Sequence, residues 1–105
     1  MENDALTNSM LIDFFGDILT EKQRDYLDLY YNEDLSLSEI GNRVGITKQG
    51  VYDIIKRAKK TLMKIESKTK IIQKWIDTRR ELEQAIANNE YIHPVALRYF
   101  QLEED

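Results

Sequence analysis

Residues 36–60 read SLSEIGNRVGITKQGVYDIIKRAKK, and the way this stretch breaks into two helices decides the fold. Ser36 with Glu39 has the spacing of a capping box, in which a hydroxyl accepts from the backbone N–H three residues on and the carboxylate reaches back. A short helix therefore opens here, with buried positions expected at Leu37, Ile40 and Val44. Gly45 ends it, because glycine enters the left-handed backbone region without steric cost and lets the chain turn sharply. Thr47 can then cap a second helix through its hydroxyl. A helix of about eight residues, a glycine turn and a capped second helix form a helix-turn-helix, whose second helix enters the major groove of DNA.

That second helix sorts its residues by face. Val51, Ile55 and Ala58 recur at helical steps and point to a core, while Gln49, Asp53, Lys56 and Lys60 fall on a separate face. Gln49 suits an adenine edge, and Lys48 and Lys56 suit guanine acceptors or phosphates. Arg57 and Lys60 are placed for phosphates, and Tyr52 for stacking or a phosphate bond. Asp53 is the dissenting residue, since a carboxylate there either accepts from a cytosine amino group or repels the backbone. With Arg43 and Thr47 at the turn, these nine residues are the candidate nucleic-acid-binding set. Gly50 adds no side chain where contacts are usual and weakens the first turn. Helix-turn-helix geometry also serves packing and protein contacts, so residue types alone leave both uses open.

Outward from this unit the chain reads as all-α, because no run alternates apolar and polar residues with period two. Leu6, Met10, Leu11, Phe14, Phe15, Ile18 and Leu19 form a first amphipathic helix that stops near Thr20. Thr20 with Gln23 repeats the capping box and opens a helix that packs Tyr26, Leu27, Tyr30 and Tyr31 inward. Tyr30 and Tyr31 share the stripe of Leu27, which favours core packing over a stacking platform for single-stranded RNA. After Thr47, the residues Val51, Ile55, Ala58, Leu62, Ile65, Thr69, Ile72 and Ile76 repeat as a heptad seam along one long helix. A small domain has too little surface to cover that seam. Leu62, Ile65, Ile72 and Ile76 are therefore expected to meet either a folded-back C-terminal helix or a second copy in a homodimer. The next helix is expected to end at Asn88-Asn89. This organisation predicts a single helical domain over 1–89, with the helix-turn-helix at about 36–65, and a tail over 90–105.

Composition bounds the function. The 105 residues are 42% hydrophobic and 32% charged, with a mean hydropathy of −0.55, which fits one small domain. Apolar runs are too short for a membrane span, and no export signal is visible, so a cytoplasmic protein is expected. Cysteine is absent and His93 is the single histidine, so no thiolate site, imidazole cluster or cofactor is expected. No glycine-rich phosphate loop or nucleophile with a base occurs, so no enzyme is expected. The net charge of −4 conceals a segregation. Residues 1–42 carry ten acids and two bases, residues 43–74 carry ten bases and two acids, and residues 75–105 carry seven acids and three bases. A basic block this dense suits phosphates, or else is the solvated face of a lysine-rich helix.

From Leu19 to Leu62 the chain resembles region 4 of bacterial sigma factors, through Leu37, Ser38, Glu39, Ile40, Gly45, Val51 and the Lys56-Arg57-Ala58 run. It is more closely similar to the YlxM family of small helix-turn-helix proteins. The carrying motifs are LTEKQ at 19–23, LYYNEDLSLSEI at 29–40 and KQGVYDIIKR at 48–57. The resemblance implies an all-helical cytoplasmic protein of low-GC Gram-positive bacteria or their relatives, to whose region-4-like domain the heptad seam adds a long C-terminal helical extension. It also implies a gene beside that of the signal recognition particle GTPase Ffh or its receptor FtsY. An accessory or regulator of that targeting pathway follows, with the particle's RNA, Ffh or FtsY as partners. The alternative is a dimeric transcriptional regulator that binds DNA. Gly41 and Gly50 stand where the family commonly has alanine, and Lys48 where it has arginine, so a bidentate base contact does not carry over to Lys48.

Overall fold

In the computed structural model, which describes residues 5–103, the helices are α1 (Ala5–Phe15), α2 (Glu21–Leu27), α3 (Leu37–Val44), α4 (Lys48–Thr69), α5 (Ile71–Ala87) and α6 (Pro94–Tyr99). A 3-10 turn at Gly16–Ile18 follows α1, and a π-helical segment at Asp28–Asn32 continues α2. No strand occurs among the described residues, and the fold is all-α with a helix-turn-helix.

Both expected capping boxes form. Thr20 Oγ1 accepts from the Gln23 N–H at 3.1 Å while the Gln23 side chain accepts from the Thr20 N–H at 3.1 Å. Ser36 and Glu39 repeat the exchange at 3.0 and 2.8 Å. The first helix is shorter than expected and stops at Phe15. Gly16 is a poor helix residue, and the chain turns there, with the Leu19 N–H donating to the Gly16 carbonyl at 3.0 Å. Asp17 in this turn pairs with Arg24 of α2.

The first compact unit runs as far as Thr69. Its core is Leu11, Ile12 and Phe15 of α1, Tyr26 and Leu27 of α2, Ile40 of α3, and Val51, Ile55, Ala58 and Leu62 of α4. The spacing read along α4 is thus its buried stripe, and α4 packs on α1, α2 and α3. Two of the three positions expected to be buried in α3 are not: Leu37 is half-buried and Val44 is 36% exposed. The buried residues of α3 are Ile40 and Gly41, and Gly41 faces the turn into α4.

A second unit begins at Lys70. The single long helix expected through Ile76 is therefore two helices. Lys70 takes a left-handed conformation (φ 56°), which ends α4, and its carbonyl accepts from the Lys74 N–H at 2.9 Å to start α5. The seam is divided accordingly, with Leu62 and Ile65 on α4 and Ile72 and Ile76 on α5. Helix α5 ends at Ala87, just before Asn88 and Asn89. Residues 94–99, expected in a tail, form α6 within the second unit. His93 Nδ1 accepts from the Val95 N–H at 3.1 Å and caps it. Arg79 Nε of α5 donates to the Phe100 carbonyl at 2.8 Å, and the Trp75 and Phe100 rings lie 5.7 Å apart.

One polar side chain in the first unit went unnoticed in the sequence. Asn8 is 2% exposed, and neither amide atom has a hydrogen-bond partner. It lies beside Leu11, Ile12, Leu27 and Leu62. An unsatisfied buried amide costs about 1–3 kcal/mol, so Asn8→Leu is expected to raise the urea midpoint of unfolding with an unchanged slope. A lowered midpoint would contradict this account of Asn8.

Candidate nucleic-acid interface

The interface is built on the turn between α3 and α4. The Gly41 carbonyl accepts from the Gly45 N–H at 2.8 Å and from the Ile46 N–H at 3.1 Å. Gly45 is left-handed (φ 83°), as the sequence predicts. Gly41 permits the close return of the chain: a Cβ on it would stand 2.7 Å from the Ile46 carbonyl oxygen. Thr47 Oγ1 accepts from the Gly50 N–H at 3.0 Å and caps α4. A Cβ on Gly50 would lie 3.2 Å from that same oxygen, so Gly50 fits closely against the cap.

All nine candidate residues are exposed. Arg43 occupies the last turn of α3 and Thr47 the turn, while Lys48, Gln49, Tyr52, Asp53, Lys56, Arg57 and Lys60 follow along α4. Gln49 Nε2 donates to Asp53 Oδ1 at 3.1 Å. This bond occupies the dissenting carboxylate and leaves the Gln49 carbonyl oxygen and its other N–H for a base edge. Lys56 Nζ stands 5.8 Å from the centre of the Tyr52 ring. The ion pairs Arg24–Asp17, Arg79–Glu83 and Arg80–Asp77 use no cation of this face. Arg43, Lys48, Lys56, Arg57 and Lys60 are thus opposed within the set by Asp53 alone. Such a surface attracts phosphates.

The four seam residues differ in burial. Leu62 is 1% and Ile72 4% exposed, whereas Ile65 and Ile76 are half-buried.

Tyr30 and Tyr31 depart most from the sequence reading. They are half-buried rather than core, with ring centres 4.9 Å apart and planes at 85°. The π-helical turn, closed by the Glu33 N–H on the Asp28 carbonyl at 3.0 Å, carries an extra residue, and Tyr31 keeps one side near Leu27 while both rings reach the surface. With Leu37, Tyr52, Ile55, Lys56 and Lys59 they line a groove of about 380 Å³. Lys59 Nζ lies 5.3 Å from the centre of the Tyr31 ring, and partial burial lowers the pKa of its ammonium. Lys59 was absent from the candidate set, because its position beside the core residue Ala58 gave no sign of a second exposed face.

Residues 2–100 match the family UPF0122, described as "Putative helix-turn-helix protein, YlxM / p13 like". The chain belongs to this family. Relatives named UPF0122 protein include one from Clostridium kluyveri, 51% identical over 65 residues, which are 62% of this chain and 59% of the relative. One from Caldanaerobacter subterraneus is 40% identical over 84 residues, 80% of this chain and 72% of the relative. One from Shouchella clausii is 40% identical over 96 residues, 88% of this chain and 87% of the relative. The match thus spans 59% of the length of the Clostridium relative and most of the Shouchella one. Among the described residues no group of three or more His, Cys, Asp or Glu is placed to hold a metal ion, and no helix is long and apolar enough to cross a membrane.

The cap of α3 carries a pH dependence. Hydrogen bonds from the Ser36 backbone and hydroxyl, helped by Arg43, lower the pKa of Glu39 below its ordinary value of 4.5. A depressed folded-state pKa stabilises the fold above the ordinary value, and that contribution is lost as pH falls through the lowered one. Glu39→Gln is expected to flatten the acid limb of urea midpoint against pH, and an unchanged limb would contradict the effect of the cap.

Proposed function

We propose that this chain is a non-enzymatic, cytoplasmic accessory or regulator of the signal recognition particle pathway, in which the exposed face of α4 binds the particle's RNA. Ffh or FtsY is its protein partner in this reading. The observation that carries it is the array of Arg43, Lys48, Lys56, Arg57 and Lys60, all exposed on a helix-turn-helix and opposed by a single carboxylate. Likeness to the YlxM family supports the choice of pathway. Phosphate contacts release counterions, so RNA affinity should fall steeply with salt, and Lys60→Ala and Arg57→Ala should each lower the logarithmic salt slope by about 1. A flat salt response, or capture from host lysate that recovers neither the particle's RNA nor Ffh nor FtsY, would overturn the proposal.

A dimeric regulator that reads DNA is the second reading, and it is favoured by Gln49 at the head of α4 with a free amide edge. Ile72 is already buried within one chain, whereas Ile76 of α5 is half-buried and is the seam residue a homodimer would use. Sedimentation is expected to give twice the 12.4 kDa chain mass, with Ile76→Lys returning it to that of one chain. A single-chain mass for the unaltered protein at micromolar concentration would remove the dimer. Enrichment of one duplex sequence from a random pool, in place of the particle's RNA from lysate, would favour this reading over the first.

A further inference from the structure

We propose that the groove between the π-helical segment and α4 is a binding site for one unpaired nucleotide, its base against the tyrosine rings and its phosphate against Lys56 and Lys59. The inference deepens the nucleic-acid reading of α4 and rests on it, because Tyr52 and Lys56 belong to both surfaces.

The size and the lining agree. A volume of about 380 Å³ falls among small-ligand sites of roughly 300–1,000 Å³. The walls are three tyrosines, two lysines, Leu37 and Ile55, with no carboxylate, in a chain whose acids outnumber its bases. A ligand that fits must be flat and aromatic at one end and anionic at the other. An acidic peptide would meet the lysines but leave the ring faces without a planar partner, whereas every nucleobase has a π-face for them.

The parts are also pre-arranged. Tyr52, Ile55, Lys56 and Lys59 fall three and four residues apart and so form one stripe of α4. Each lysine is held over a ring, Lys56 over Tyr52 and Lys59 over Tyr31. The near-perpendicular pair Tyr30 and Tyr31 offers a face and an edge within one groove. The Tyr31 hydroxyl can donate a hydrogen bond to a base edge. The strand that supplies the nucleotide need only follow the cations of α4, since Lys56 leads from that face into the groove.

The full chain labelled with nitrogen-15 can be titrated with adenosine 5′-monophosphate and, separately, with inorganic phosphate, and followed by amide shifts. Saturable shifts at residues 30, 31, 37, 52, 55, 56 and 59 are expected with the nucleotide, and binding of inorganic phosphate at least about tenfold weaker. Tyr52→Ala and Lys59→Gln should each weaken the nucleotide about tenfold, with the helical circular dichroism unchanged. Lys74→Ala, on α5, should leave nucleotide binding as it was. Shifts spread equally over Arg43, Lys48, Arg57 and Lys60 with either ligand would overturn the site. Duplex RNA binding without nucleotide at the groove would overturn the groove alone, and nucleotide at the groove without duplex binding would overturn the reading of α4 alone. Comparing duplexes that carry one bulged nucleotide with their blunt counterparts, in RNA and in DNA, identifies the source strand. Equal affinity for bulged and blunt forms in both would count against the proposal.

Discussion

The direction in which α4 leaves α3 depends on one close backbone approach. Two amides converge on the Gly41 carbonyl, and the Ile46 carbonyl comes back so near to Gly41 that a side chain there would meet it at 2.7 Å. Gly45 supplies the left-handed step, and Thr47 closes the turn by capping α4. With that direction set, Val51, Ile55, Ala58 and Leu62 descend onto α1, α2 and α3. Exposure of Lys48, Gln49, Tyr52, Asp53, Lys56, Arg57 and Lys60 is the geometric consequence, because helical periodicity gives them the opposite side.

This placement explains how an acidic chain presents a basic surface. The charges are segregated along the sequence, and α4 lies almost wholly inside the basic block. Asp53 is the one carboxylate within the face, and its Oδ1 accepts from Gln49 Nε2. The aromatic groove lies along another side of the same helix, so a single element serves the core with one stripe and two solvent-facing surfaces with others.

The elements that could be read from the sequence are those governed by short-range chemistry. Both capping boxes, the Gly45 turn, the Thr47 cap and the core stripe of α4 each involve residues within four positions of one another, and each was found as read. All nine candidate interface residues are on the surface for the same reason: period and turn already separate the two faces of α4. The heptad seam misled because its spacing continues unbroken across Lys70, and hydrophobic spacing does not register one residue that turns left-handed.

By itself, then, the sequence determined an all-α chain, the helix-turn-helix and which face of α4 is charged, since these follow from local hydrogen bonds and a period of 3.6 residues. Only the tertiary structure decided where the long helical stretch divides, that Tyr30 and Tyr31 line a groove with Lys59, and that Asn8 is buried without a partner. The division turns on the left-handed backbone of Lys70, and the groove and the buried amide depend on packing between elements distant in sequence. The π-helical turn carries an extra residue, and a buried amide is defined by neighbours such as Leu27 and Leu62 that lie turns or helices away.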